Sequence, residues 1–352
     1  MTDESLDRFD LGELSRYSRQ IRFSPIGIAG QEKLRKGRVL LIGVGALGSV
    51  TAEILARAGV GFLKLVDRDF VDVSNLQRQS LFVERDAQAG IPKVVAAAKA
   101  IHEINSTVSV ESVIADVTPQ NIAELASGVD LILDGTDNFE IRFLINDLSV
   151  REQIPWIYTG CLGADGQSLN ILPGKGPCLR CLMPEGPPTI TDTCDTAGVV
   201  GSIVHVMSAI QALEAIKFLS GNESQMTMGM QVVSMWDARS RVVPLDRLFE
   251  NSDCATCRQR RFEWLEEGRF TQVVRLCGRN SVQINPAGKQ PLELVALEAR
   301  LRTVATEVVS NAFLVRFKAD GKRVTVFADG RAIIEGTDDF VIAKSIYTRY
   351  LG

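Results

Sequence analysis

The chain has 352 residues, 45% hydrophobic and 23% charged, a globular composition with room for two domains. Its net charge of −4 argues against a broad basic surface for nucleic acid, but leaves room for a small basic pocket that takes an anion. The first ten residues (MTDESLDRFD) are acidic and polar, unlike a secretory leader, so a cytoplasmic protein with no nucleic-acid or membrane partner is expected.

Residues 1–37 read as a helical lead-in. RVLLI at 38–42 is a short apolar run, hence a buried strand. GVGALG follows, then TAEILARAG at helical period, then the strand FLKLVD ending in Asp67. This is a βαβ unit. Three more helix–strand units follow (KVVAAAKAIHEI with VSVESVIA, NIAELAS with VDLILD, IRFLINDLSVREQ with PWIYTG). The spacing predicts a doubly wound, Rossmann-like α/β fold with a mostly parallel sheet. Residues 161–198, rich in Gly, Pro and Thr, read as an irregular surface loop. The apolar segment 199–219 is interrupted by His205, Gln211, Glu214 and Lys217, so it reads as a buried or dimer-facing helix rather than a membrane span. The strand-like MGMQVVSMWD follows. From about residue 270 the pattern changes. Strands at 271–277 and 281–284, a helix over 292–304, a hairpin turning at Asp320-Gly321, a strand at 331–336 and a closing helix predict a small α+β domain. The expected division is 1–262 and 268–352.

The glycine turn Gly43-Val44-Gly45-Ala46-Leu47-Gly48 follows a strand and opens a helix, the context a dinucleotide fingerprint requires. The first glycine makes the turn, the second lets a nucleotide approach the backbone, and the third packs helix on sheet. Asp67, at the end of the next strand, is placed to accept from ribose hydroxyls. Taken alone this motif points to NAD.

Cys178-Leu179-Arg180-Cys181 and Cys254-Ala255-Thr256-Cys257 are two C-x-x-C knuckles. Four thiolates suit a tetrahedral Zn²⁺, and four protein ligands leave no open position, so the site is expected to be structural. Seven cysteines, an odd number, fit metal and thiol chemistry better than a disulfide framework. Cys161 and Cys277 read as small buried residues.

Further motifs turn the reading away from NAD. These are Arg16–Gln20 (RYSRQ), the run from Ser74 to Gln79 (SNLQRQ), Gly90-Ile91-Pro92-Lys93, and Asp134-Gly135-Thr136-Asp137-Asn138. In this order, over about residues 14–260, the chain resembles the E1-like activating enzymes of the ThiF/MoeB/Uba4 (HesA/MoeB/ThiF) family. The resemblance implies ATP-dependent adenylation of the C-terminal glycine of a ubiquitin-like sulfur-carrier protein ending in Gly-Gly, with release of pyrophosphate. It implies ATP, Mg²⁺ and Zn²⁺ as cofactors and a homodimer in which Arg19 reaches ATP in the other subunit.

Adenylation asks for these residue types because a carboxylate and a triphosphate repel each other. Arg78 can grip phosphate oxygens bidentately and Lys93, opening a helix, adds a point charge. Asn75 and Asn138 can hydrogen-bond the nucleotide, and Asp137 can hold Mg²⁺. The family places a catalytic or sulfur-transferring cysteine where Cys194 stands, in the loop 182–198 before the long helix. Its implied role is nucleophile on the acyl-adenylate or partner in a persulfide step. Two departures stand out. Ala46 replaces the glycine usual at the fourth place of the turn, which matters only if φ there is positive. The last 85 or so residues do not resemble the rhodanese domain of some relatives and are read as a docking module. Two other classes remain as alternatives. A nicotinamide-dependent oxidoreductase would need a general acid that no His or Lys/Tyr arrangement supplies. A non-catalytic nucleotide-binding scaffold would keep the pocket and the zinc staple without turnover.

Overall fold

The computed structural model describes residues 15–186, 197–266, 275–276, 281–284 and 292–351. Cys194 and Cys277 lie outside them.

The apolar runs 38–42, 62–66, 131–134 and 156–162 form the middle of an eight-stranded sheet in the order β3-β2-β1-β4-β5-β6-β7-β8. The strands are β1 (Arg38–Ile42), β2 (Phe62–Val66), β3 (Ser109–Val113), β4 (Leu131–Asp134), β5 (Trp156–Leu162), β6 (Asp165–Ile171), β7 (Met230–Ser234) and β8 (Arg239–Val243). From β3 to β5 the pairings are parallel, and from β5 to β8 antiparallel. Unbroken apolar strands are what a sheet covered on both faces needs. Along β1, Val39 and Leu41 join one core with the helices Ala46–Ala58 and Lys93–Ile104, while Leu40 and Ile42 join a second core under the helix Phe139–Glu152.

One expectation is corrected. The stretch read as irregular loop contains β6, paired with β5 from Leu162↔Asp165 to Trp156↔Ile171. Its sequence, DGQSLNI, looks like loop because its buried residues are partly polar. Their donors find partners: the Ser168 hydroxyl donates to the Tyr158 carbonyl (3.0 Å) and Asn170 Nδ2 to Glu214 (2.7 Å), while Asn170 Oδ1 is buried without one. A buried polar strand costs little when its groups are bonded.

The helix Gly201–Leu219 is long and apolar enough to cross a membrane by length and composition, but half of that window is buried in this fold. Its buried polar residues Ser208 and Gln211 have partners. Gln211 donates to the Asp134 carbonyl (2.8 Å) and accepts from Thr51 (2.8 Å), and Ser208 donates to the Leu47 carbonyl (3.0 Å). These contacts make it a core helix.

The C-terminal domain is a six-stranded antiparallel sheet, ordered β11-β12-β13-β14-β10-β9. Its strands are β9 (Arg275–Leu276), β10 (Ser281–Ile284), β11 (Thr306–Ser310), β12 (Leu314–Ala319), β13 (Lys322–Phe327) and β14 (Ala332–Glu335). Asp320 and Gly321, both at positive φ (51° and 72°), turn the β12–β13 hairpin. The helices Leu294–Leu301 and Phe340–Leu351 close its core around Phe317, Val324 and Ile334.

Candidate active site

Strand order reverses between β1 and β4, where an open α/β sheet leaves a crevice for ligands. The glycines there are dictated by contact. Gly43 has φ +85°, and a Cβ on it would lie 2.7 Å from the Gly135 backbone; one on Gly48 would lie 2.0 Å from the Gly43 carbonyl oxygen. Gly45 is different. A Cβ there would meet nothing closer than Gln79 Nε2 at 3.9 Å, so its backbone faces open space, the cradle a nucleotide needs. Ala46 opens the helix Ala46–Ala58 and is not among the positive-φ residues, so the departure from glycine costs no backbone strain.

Asp67 closes the turn from the side. Its Oδ2 accepts from the Val44 N–H (2.7 Å) and its Oδ1 from the Asp69 N–H (2.7 Å). Burial pushes its carboxyl up, with Lys93 opposing that rise. Lys93 begins the helix Lys93–Ile104 and is itself buried, its Nζ 3.1 Å from Asp69 Oδ2. A buried ammonium beside a helix start and a nucleotide turn could bind phosphate. Arg78 is half-buried. Its Nη1 donates to the Ser74 carbonyl (2.9 Å), while its Nε is buried with no hydrogen-bond partner. An orphaned guanidinium nitrogen fits an anionic ligand.

The asparagines are more occupied than the sequence implied. Asn75 is buried and its Oδ1 accepts from the Asp72 N–H (3.1 Å). Asn138 caps the helix Phe139–Glu152, its Oδ1 accepting from the Glu140 N–H (2.8 Å). Arg19 is exposed on the short helix Ser18–Ile21 and is not among the residues lining the cavity described next.

A cavity of about 580 Å³ opens at the carboxyl ends of β4 and β5, with Ala46 and Leu47 of the turn in its wall. Asp137 lines it and is exposed. Two further lining residues were not expected. Cys161, expected to be buried, is half-buried on the wall. Arg142 is a buried arginine whose Nε donates to Asp134 (2.8 Å) and whose Nη2 donates to the Thr136 carbonyl (2.6 Å). Its guanidinium carbon lies 5.0 Å from the Phe139 and Tyr158 ring centroids. Burial opposes the Arg142 charge, but Asp134, with Tyr158 and Asp137, more than offsets this and raises its pKa. The pair fixes the Thr136–Asp137 segment that follows β4. A lone arginine in FEIRFLIN carries no sequence signal that separates it from a surface charge.

The four knuckle cysteines converge. Their sulfurs all lie within 4.8 Å of one another, with separations of 3.9 Å (Cys178–Cys181), 3.6 Å (Cys178–Cys254) and 3.4 Å (Cys181–Cys257). A tetrahedron with Zn–S bonds of about 2.3 Å has edges of about 3.8 Å, so the cluster could bind zinc. Adjacent residues of one helix hold both knuckles. Asn146 Oδ1 accepts from the Leu179 N–H (2.8 Å), and Asp147 accepts from Thr256 Oγ1 (3.0 Å) and the Trp264 N–H (2.9 Å). Burial pushes the Asp147 carboxyl up to about 6 despite these donors.

The ThiF family model matches residues 17–256. The chain belongs to the ThiF family, the E1-like adenylyltransferases. It is 41% identical over 337 residues to the sulfur carrier protein ThiS adenylyltransferase of Bacillus subtilis, covering 96% of this chain and 99% of that one. The SAMP-activating enzyme E1 of Haloferax volcanii is 38% identical, with 70% of this chain and 90% of that one covered. The ThiF architecture is also seen in the crystal structure of Escherichia coli MccB with ATP (TM-score 0.60, 22% identity, 69% of this chain and 74% of that one), a likeness that speaks to fold alone. The ThiF model ends before the C-terminal domain, whereas the match to the B. subtilis relative, over 337 residues, extends into it.

Proposed function

We propose that this ThiF-family enzyme adenylates the C-terminal glycine of a small ubiquitin-like sulfur-carrier protein ending in Gly-Gly. A carboxylate oxygen of the carrier attacks the α-phosphorus of ATP. The bond to the bridging oxygen breaks, and pyrophosphate leaves with that electron pair; the product is carrier acyl-AMP. The observation that supports this reading is the open backbone at Gly45 next to Val44, whose N–H Asp67 holds (2.7 Å), with the buried Lys93 close enough to Asp67 to oppose the rise of its carboxyl; Asp137 lines a separate cavity of about 580 Å³ beside the same turn.

In this reading Asp67 orients the ribose, and Lys93 and Arg78 neutralise the phosphates so that the carboxylate can approach. Asn75 and Asn138 would add hydrogen bonds to the nucleotide, besides holding their own loops. Asp137 would hold Mg²⁺, which supplies further charge neutralisation. Arg19 would complete the site from a second copy of the chain. Cys194 would attack the acyl-adenylate carbonyl as thiolate, forming a thioester and releasing AMP; alternatively, once a sulfurtransferase has passed it sulfane sulfur, its persulfide would attack the same carbonyl through the terminal sulfur, giving an acyl disulfide and AMP. Cys178, Cys181, Cys254 and Cys257 would hold Zn²⁺ as a staple between the sheet and the segment that follows β8. The sulfur-carrier substrate is drawn from the chain's match to nearly the whole ThiS adenylyltransferase.

The test is ATP–pyrophosphate exchange with a purified Gly-Gly-ended carrier. Exchange should depend on the carrier and fall at least 100-fold in Asp137→Ala. Exchange retained by that variant, or binding of NAD in place of ATP, would refute the reading.

A further inference from the structure

The segments that carry the candidate nucleotide groups are held together, and then held from outside by the C-terminal domain. Lys93 N–H donates to the Asp69 carbonyl (2.9 Å), and Val71 N–H donates to the Ile91 carbonyl (2.8 Å). Phe70 and Pro92 form an antiparallel bridge between them. This small ladder sets Lys93 beside Asp69, to whose Oδ2 its Nζ donates (3.1 Å).

On its outer side Phe70 is buried in a separate apolar cluster with Leu314, Phe327 and Ile333, all from the C-terminal domain. The Arg316 guanidinium carbon sits 4.6 Å from the Phe70 ring centroid. Asn311 Nδ2 donates to the carbonyls of Ala89 (3.0 Å) and Gly90 (3.3 Å), the residues that lead into Pro92-Lys93.

A line of alternating charges runs through the same contact. Arg331 Nη1 lies 3.6 Å from Asp116 Oδ2. Asp116 Oδ1 accepts from Arg68 Nη1 (2.8 Å). Arg68 Nε lies 3.8 Å from Asp69 Oδ1, and Asp69 Oδ2 accepts from Lys93 Nζ (3.1 Å). Gln283 of β10 adds a donor to Asp116 Oδ2 (2.8 Å). The two ends of the line, Arg331 and Lys93, are both nearly buried, with side-chain exposures of 4% and 6%. Buried charges keep their places only when each neighbour is satisfied in turn. Arg331 and Lys93 are thus linked through the three charges between them, Asp116, Arg68 and Asp69.

We infer that the C-terminal domain is a positioning element of the nucleotide site, with Arg331 and Asn311 holding the 68–71 and 89–93 segments in the arrangement that binds ATP. The inference rests on the reading of Lys93 and Asp67 as nucleotide ligands. Its physical basis is preorganisation: a lysine already held in its bound rotamer loses less freedom when phosphate arrives.

The test uses the full chain and calorimetric titration with the α,β-methylene analogue of ATP plus Mg²⁺. Arg331→Met should weaken binding about tenfold and Arg331→Lys should recover most of it. Asn311→Asp keeps the Oδ1 that accepts from the Phe313 and Leu314 N–H groups (2.8 and 3.0 Å), but replaces the amide donor with a charge facing two carbonyls. It too should weaken binding about tenfold, and it decides the matter if Arg331→Met does not fold. Hydrogen exchange should speed up over 68–71 and 89–93 while β1 and β4 stay protected. Folded variants that bind the analogue within twofold of wild type would overturn the inference. Lys93→Met separates the two readings. If it binds normally, the nucleotide assignment itself falls. If it binds weakly while the Arg331 and Asn311 variants bind normally, only the positioning role falls.

Discussion

Gly45 and Gly48 stand three residues apart in one turn, yet a methyl group should do opposite things at the two positions. At Gly48 the new carbon would sit 2.0 Å from the Gly43 carbonyl oxygen, about 1 Å inside the 3.0 Å below which such contacts are essentially never found. The obstacle is backbone, so relief requires the helix Ala46–Ala58 to withdraw from β1. Overpacking of this kind costs about 1–3 kcal/mol, and replacing glycine by alanine within a helix returns about 1 kcal/mol. A backbone clash belongs at the upper end of that range, so Gly48→Ala should lose about 2 kcal/mol, a drop in Tm of roughly 4–8 °C. At Gly45 the nearest atom is 3.9 Å away, so Gly45→Ala should melt near wild type. The methyl there stands instead where a nucleotide would meet the backbone, and affinity for α,β-methylene ATP should fall at least tenfold. Differential scanning calorimetry and nucleotide titration on both variants read the two effects. A Gly45→Ala protein that binds the analogue with unchanged affinity would show that the ligand does not approach this backbone. A Gly48→Ala protein as stable as wild type would show that the helix is not wedged against the strand.

Other consequences follow from the buried polar groups. Removing Arg142 leaves Asp134 buried without its counter-ion, so Arg142→Leu should destabilise the fold by about 3–5 kcal/mol in urea titration, and a variant within 1 kcal/mol of wild type would show the pair to be dispensable. Cys181→Ser should lower bound zinc, measured by atomic emission, from one ion per chain toward none, with a fall in Tm that chelator treatment of the wild type reproduces. Asp147 gives a pH signature. Its carboxyl is held up to about 6 in the fold against about 3.9 in an unfolded chain, so the folded state keeps its proton to higher pH. Stability contributed by this group is therefore full below about pH 4 and is lost as pH rises to about 6. Relative to Asp147→Asn, wild type should lose about 3 kcal/mol across that interval and nothing further above it; parallel stability curves for the two proteins would refute the assignment.

Local patterns carry a large share of this protein. RVLLI, GVGALG and FLKLVD name a strand, a turn and a strand because periodicity and glycine placement are properties of neighbouring residues. The C-x-x-C pairs name a sulfur cluster because thiolate spacing is local within each knuckle. The antiparallel half of the sheet was not legible in the same way. Strand β6 is written in polar residues, and only Tyr158, Glu214 and the neighbouring strands supply the partners that let Ser168 and Asn170 be buried. That the Oδ1 of Asn138 also caps the helix after it is visible only in the fold.

The sequence by itself determined the parallel βαβ half of the sheet, the nucleotide-type turn and the two cysteine knuckles, each a pattern among neighbouring residues. It could not place Arg142 under the cavity, Cys161 on its wall, or Asn146 and Asp147 behind the cysteines, because each depends on contacts between segments far apart in the chain. The alternating line from Arg331 to Lys93 is the clearest case. Its members come from β2's exit loop, the residues after β3, the start of one helix and the turn before β14. Charges acquire meaning from what stands within a few ångströms of them, and only the folded chain sets those distances.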